Sequence, residues 1–231
     1  MSREKLAIFG GEPAVKVQAP KWPIIGEEET NRIINQLRIG KLSIADRSGV
    51  IAEFEDLFAK YHNIKYALAT YCGTASLHSA IFGVGVEPGD EVIVPSFTWI
   101  TTATSVLQSN AIPVFCDISN ESFGIDPKDF EKKITKRTKA IIVVHLWGIP
   151  VEMEKIMNVA RKHNIAVVED SAQAHGAIYK GKKVGTIGDV GCFSFQATKS
   201  MCTGEGGMLI TDELDIYERA MLLGHHPARL T

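Results

Sequence analysis

The sequence predicts an α/β fold, a mostly parallel sheet sandwiched by helices. The first observation is a series of short, β-rich apolar runs: YALAT (66–70), EVIVP (91–95), IPVFCD (112–117), AIIVVHL (140–146), AVVED (166–170), GCFSF (191–195) and GMLIT (207–211). The second is that their apolar character is continuous instead of alternating, which suits strands covered on both faces. The third is that helical patterns lie between them, giving a βαβα order.

Taken in order, the first sixty residues hold no clear strand. They carry two helical patterns, Glu27 to Leu37 and Val50 to Tyr61, joined by a Gly/Ser-containing connection. This predicts an N-terminal helical arm over residues 1–60, packed on a large α/β domain over residues 61–231. After YALAT, Tyr71-Cys72-Gly73-Thr74-Ala75 opens a helix. Asp126 followed by Pro127 supplies an N-cap and a first-turn proline for PKDFEKKI, and Val151 to His163 places apolar residues at helical spacing. Residues 66–86 and 92–116 lack Asp, Glu, Lys and Arg, but Gly, Pro, Asn, Gln and hydroxyls interrupt them. They read as buried strand-loop-helix units and not as membrane spans. The chain closes at LLGHHPARLT directly after a helical run, which predicts a truncated chain.

Composition narrows the function classes. With 231 residues and 45% hydrophobic content the chain has the profile of a packed globular protein and not of a disordered one. A formal charge of −2 gives no general attraction to nucleic acid or an anionic membrane, so any anion site must be local. Cys72, Cys116, Cys192 and Cys202 are widely spaced without a CxxC and read as reduced thiols. The opening MSREKLAIFGGEPAV carries early charges and only a short apolar run, unlike a signal peptide, so a cytoplasmic location is expected.

In open α/β sheets the ligand crevice lies beyond the carboxyl ends of the strands. Three segments occupy such positions: the Gly73-Thr74 turn, Asp170 with Ser171 to Gly176, and the segment after GCFSF that holds Lys199. Gly-Thr at a helix start offers free N–H groups and a hydroxyl to a phosphate, yet also reads as a plain cap. A strand-end aspartate either caps a helix or faces a ligand. Lys199, set among Ser, Thr and Gly between apolar runs, either reaches solvent or has its amine used, since an unpartnered buried charge is costly. Together the three have a joint meaning. Pyridoxal 5'-phosphate needs a lysine to form a Schiff base, a carboxylate to keep its ring nitrogen protonated, and a phosphate anchor. A lysine with a free pKa of about 10.4 changes its proton balance once its nitrogen is an imine, which makes burial tolerable.

Weaker patterns point elsewhere and fail. Gly176 to Lys183 nearly spells a P-loop, but Lys183 stands where a magnesium-binding Ser/Thr is needed, so a basic hairpin turn is expected. Gly83-Val84-Gly85 lacks the third glycine of a dinucleotide fingerprint. His225-His226 has no nearby further ligand and reads as exposed polar residues, and no metal site is expected. His145 and His175 are expected to be buried and hydrogen-bonded.

The run VVEDSAQAHGAIYKGKKVGTIGDVGCFSFQATKSMCTGEGGMLIT (167–211), with GDEVIVPSFTWITTATSV, PVFCDI, TKAIIVVHLWGIP and FGGEP upstream, resembles the DegT/DnrJ/EryC1/StrS family of pyridoxal phosphate-dependent sugar aminotransferases. The resemblance covers nearly the whole chain. It implies the large domain of the aspartate aminotransferase-type fold, with a smaller C-terminal domain missing. It implies Lys199 as Schiff-base lysine and proton shuttle, Asp170 as partner of the ring nitrogen, and Gln173 against the ring oxygen. Gly73, Thr74 and Ser194 become phosphate ligands, and Trp99 the aromatic on the ring face; read without the resemblance, Ser194 is a buried serine bonded to backbone. Dehydratases of the family resemble it with a histidine at the lysine position, so Lys199 favours transamination. The implied chemistry is ping-pong transfer from glutamate or glutamine to a nucleotide-linked keto-sugar or a keto-cyclitol, in a homodimer. Gln196 resembles the keto-inositol branch. A non-catalytic cofactor-binding or regulatory remnant of the family is the alternative from another class.

Overall fold

A computed structural model describes residues 5–42 and 45–230. The ends of the 1–60 and 61–231 units, and part of the connection between the first two helices, therefore lie outside the described residues. The elements are α1 (Glu27–Ile39), α2 (Gly49–His62), β1 (Tyr66–Thr70), α3 (Gly73–Gly83), β2 (Glu91–Pro95), α4 (Thr101–Gln108), β3 (Ile112–Cys116) and α5 (Pro127–Lys133). They continue with β4 (Thr138–Val144), α6 (Met153–His163), β5 (Ala166–Asp170), β6 (Ile178–Tyr179), β7 (Lys182–Lys183), β8 (Val190–Ser194), β9 (Gly207–Thr211) and α7 (Leu214–Gly224).

The main sheet has seven strands in the order β1-β9-β8-β5-β4-β2-β3. The pairs β2–β3, β2–β4, β4–β5 and β5–β8 are parallel, whereas β9 runs antiparallel to both β1 and β8. The apolar runs are continuous because successive side chains feed opposite cores. In β4, Ala140, Ile142 and Val144 join Leu77, Ile81, Val106 and Tyr217 on one face. Ile141 and Val143 join Phe130, Met153 and Ile156 on the other. A third cluster packs Phe58 of α2 against Phe193, Phe195, Met208 and Ile210.

The two N-terminal helices differ. α2 docks against the sheet through Phe58 and Ala59. α1 does not: it has no buried residue, and Ile33, Leu37 and Ile39 are 58%, 59% and 61% exposed. Its apolar stripe satisfies helix periodicity without being buried by any of the described residues. Residues 178–183 form the expected basic hairpin, with Lys180 at φ 47° and Gly181 at φ 84° in the left-handed region of a tight turn. No helix among the described residues is long and apolar enough to cross a membrane.

Candidate functional site

Beyond the carboxyl ends of β1, β2, β4, β5 and β8 lies a cavity of about 560 Å³. Gly73, Thr74, Trp99, Asp170, Gln173, Ser194 and Lys199 all line it, with Thr98, Gln196 and Glu205 around the rim. Each owes its place to the same topology, in which a parallel strand ends and its loop turns over the sheet edge.

At one wall, α3 begins at Gly73 after Cys72, which makes no side-chain cap. The first-turn N–H groups of Gly73, Thr74 and Ala75 meet no acceptor among the described residues. A β-carbon at Gly73 would stand 2.7 Å from Ser194 Cβ, so glycine is what lets the helix start touch the end of β8. Ser194 is 8% exposed, and its Oγ accepts only a long 3.4 Å bond from the Gln196 N–H. Open amides, a helix terminus and an under-used hydroxyl make a cradle suited to a phosphate.

At the floor, Asp170 is 6% exposed. Its Oδ2 accepts from Thr102 Oγ1 and its Oδ1 from the Ala172 N–H, both at 3.2 Å. Burial pushes its carboxyl above the usual carboxylate range, opposed by these two bonds and by the charge of Lys199. Two long bonds leave a buried carboxylate under-compensated, and a cationic N–H placed in the cavity would complete it. Lys199 is half-buried, and its amine makes no ion pair or hydrogen bond among the described residues. Its backbone is held by the Gln196 carbonyl at 2.8 Å and, through its own carbonyl, by Trp22 Nε1–H at 3.2 Å. Trp99 is 68% exposed at the cavity mouth. Gln173 Oε1 accepts from the Trp147 N–H at 3.0 Å.

Several residues around the site carried no sequence signal of their own. Thr102, fully buried in α4, holds Asp170 and meets Thr98 Oγ1 at 3.0 Å; the i,i+4 spacing of these hydroxyls just after β2 was the available clue. Behind Asp170, buried Glu169 accepts from the N–H groups of Gly185, Ile187 and Gly188 at 2.8, 2.6 and 2.6 Å, and pairs with His145 Nε2 at 2.9 Å. These donors hold its carboxyl below the usual range despite burial. His145 is thus the buried, hydrogen-bonded histidine expected. His175 has both ring nitrogens buried, with the Ser194 backbone as polar neighbour, and its ring packs against Phe193 and Phe195. His226 is exposed, but His225 is half-buried and meets the Ala69 carbonyl at 2.8 Å, so the pair is not uniformly exposed. Among the described residues no cluster of three or more His, Cys, Asp or Glu could hold a metal.

A model of the DegT/DnrJ/EryC1/StrS aminotransferase family matches residues 23–229. The chain belongs to that family. It is 38% identical over 220 residues to L-glutamine:2-deoxy-scyllo-inosose aminotransferase of Streptomyces lividus, covering 94% of this chain and 52% of the relative. It is 43% identical over 178 residues to GDP-perosamine synthase of Escherichia coli O157:H7, covering 77% and 49%. Among solved structures, NtdA of Bacillus subtilis with its bound cofactor PMP superposes with a TM-score of 0.78 at 28% identity, covering 91% of this chain and 49% of that one. The chain therefore spans about half the length of the relatives it matches.

Proposed function

We propose that this chain is the cofactor-binding part of a pyridoxal phosphate-dependent aminotransferase. It passes the amino group of glutamine or glutamate to a nucleotide-linked keto-sugar or a keto-cyclitol. The observation that carries this reading is the convergence on one cavity of an unpartnered amine, a buried under-compensated carboxylate and an open helix terminus. The name of the Streptomyces lividus relative favours glutamine as donor and an inosose as acceptor, and that of the Escherichia coli relative a GDP-linked sugar.

When bound, pyridoxal phosphate supplies an electron sink for the substrate carbon and a carbonyl that takes up an amine. The residues present fit it. The Gly73 and Thr74 amides with the Thr74 and Ser194 hydroxyls would hold its phosphate. Asp170, oriented by Thr102 and the Ala172 N–H, would keep the ring nitrogen protonated. Gln173 would meet the ring oxygen and Trp99 would cover a ring face. Lys199 would hold the aldehyde through its amine and, once free, carry the substrate proton at Nζ. Leu77, Val144 and Cys192 are buried and form the apolar part of the cavity wall.

The reading extends to organisation. Residues 61–231 form the cofactor-binding body and 1–60 the arm. A homodimer is favoured by Tyr71 and Ile100, the chain neighbours of the cavity-lining Cys72 and Trp99, which are 81% and 68% exposed and suit cover by a second copy. A reducing cytoplasm fits the four free thiols.

The test is to load the purified chain with pyridoxal phosphate, add glutamine or glutamate, then add a keto-cyclitol or nucleotide-linked keto-sugar. A visible band that bleaches with the donor and returns with the ketone, alongside an aminated product by mass, supports the reading. A band unchanged by either donor leaves the cofactor-binding remnant in its place.

A further inference from the structure

One backbone near the cavity is held in a conformation its side chain disfavours. Trp147 lies in the Leu146–Gly148 turn after β4 with φ 54° and ψ 22°, the left-handed region, followed by Gly148 at φ 83°. The turn is fixed from both sides. His145 donates its backbone N–H to the Asp170 carbonyl at 3.1 Å, its Nε2 pairs with Glu169, and its Nδ1 accepts from the Val151 N–H at 3.3 Å. The indole is 61% exposed and meets Phe97 and Phe123 edge-on, at centroid distances of 5.9 and 5.6 Å. The outcome of this left-handed residue is a single polar contact: its N–H points at Gln173 Oε1, 3.0 Å away.

A backbone N–H can only donate, so the atom of Gln173 facing it must be the oxygen. The carboxamide is thereby committed. Its Nε2 makes no hydrogen bond to the protein among the described residues, while Gln173 lines the cavity. Gln173 therefore offers the cavity two donors and no acceptor from that end.

We propose that Trp147 is a positioning residue: its left-handed backbone fixes Gln173 so that the carboxamide presents N–H donors to an anionic oxygen of the bound ligand. This rests on the functional reading above for the identity of that ligand, the ring oxygen of pyridoxal phosphate. It predicts that the Trp147 backbone matters more than the indole, because a glycine keeps both the left-handed conformation and the N–H without a β-carbon.

The test has two arms. In the chain without cofactor, amide hydrogen exchange at residue 147 is measured for wild type, Gln173→Ala and Gln173→Glu. Exchange at least about tenfold faster in Gln173→Ala, with protection kept in Gln173→Glu, is expected, because a carboxylate still accepts that N–H. In the second arm, pyridoxal phosphate is titrated by absorbance. Gln173→Glu and Gln173→Ala should both weaken binding about tenfold and shift the visible band, since neither offers the donor. Trp147→Gly and Trp147→Ala should both bind close to wild type, because each keeps the N–H that faces Gln173.

Unchanged exchange in Gln173→Ala overturns the proposal. So do equal losses in Trp147→Gly and Trp147→Ala, which would assign the role to the indole. Wild-type binding in Gln173→Glu would remove the donor requirement. A wild-type chain that binds no pyridoxal phosphate would refute the functional reading and the ligand named here, while the exchange arm would still decide the Trp147–Gln173 bond.

Discussion

Replacing Gly73 by alanine tests the phosphate cradle at its tightest point. Gly73 is a first-turn residue of α3 with no left-handed backbone, so alanine is conformationally acceptable there and would by itself favour the helix. The new β-carbon, however, would stand 2.7 Å from Ser194 Cβ and 3.3 Å from its Oγ. Carbon atoms settle at roughly 3.5–4.0 Å, so a gap of about 1 Å must open. Ser194 cannot swing away, because the clash is with its β-carbon at the end of the inner strand β8. The start of α3 must lift instead. Overpacking of this kind costs about 1–3 kcal/mol of stability. A cradle displaced by about 1 Å also loses at least one charge-assisted bond to an anion, worth about 1.5–3 kcal/mol. Affinity for pyridoxal phosphate should therefore fall roughly ten- to a hundredfold. Absorbance titration measures the affinity, and thermal unfolding reads the strain. A Gly73→Ala chain with wild-type affinity and wild-type Tm would refute the argued contact between α3 and β8.

Further predictions address Asp170 and the pH response. Thr102→Val removes a buried donor to Asp170 while keeping the volume, so the Asp170 pKa should rise further. The donor half-reaction should slow about tenfold and its pH profile move upward; an unchanged profile would exclude Thr102 from the site. Asp170→Asn should slow that half-reaction far more than it weakens cofactor retention, because the charge is lost and the shape is kept; near-normal stopped-flow rates would count against the assigned role. His62 is 5% exposed, and burial lowers its pKa from 6.5 to about 4. The unfolded chain then binds the extra proton between those values, so stability should be complete above about pH 6.5 and fall as pH drops toward 4, by roughly 3 kcal/mol at most. Urea midpoints at pH 7 and 4.5 check this against His62→Phe, in which this part of the pH dependence should vanish.

The strands were legible because both sheet faces are covered, which turns each inner strand into an unbroken apolar run. Strand direction was not: Met208, Leu209 and Ile210 look alike whichever way β9 runs, so its antiparallel pairing emerged only in the fold. α1 shows the converse limit, since Ile33, Leu37 and Ile39 satisfy helix periodicity without being buried by any of the described residues. At the site, Lys199, Asp170 and Gly73 were legible because each follows a strand and their chemistries interlock. Gln173, Trp99 and Ser194 came from the family resemblance. Thr102 was hidden in TTATS, where a donor to a distant carboxylate looks the same as any helical hydroxyl. Trp147 was hidden more deeply, because tryptophan disfavours the backbone it adopts and the tertiary frame of His145 and Glu169 overrides that preference.

The most direct measurement is to reduce the pyridoxal phosphate-loaded chain with borohydride and locate the added mass by peptide mapping. One reducible visible band, stoichiometric labelling of Lys199, and loss of both in Lys199→Ala are expected. A chain that forms no band, or whose label sits on another lysine and survives Lys199→Ala, would contradict Lys199 as the Schiff-base lysine.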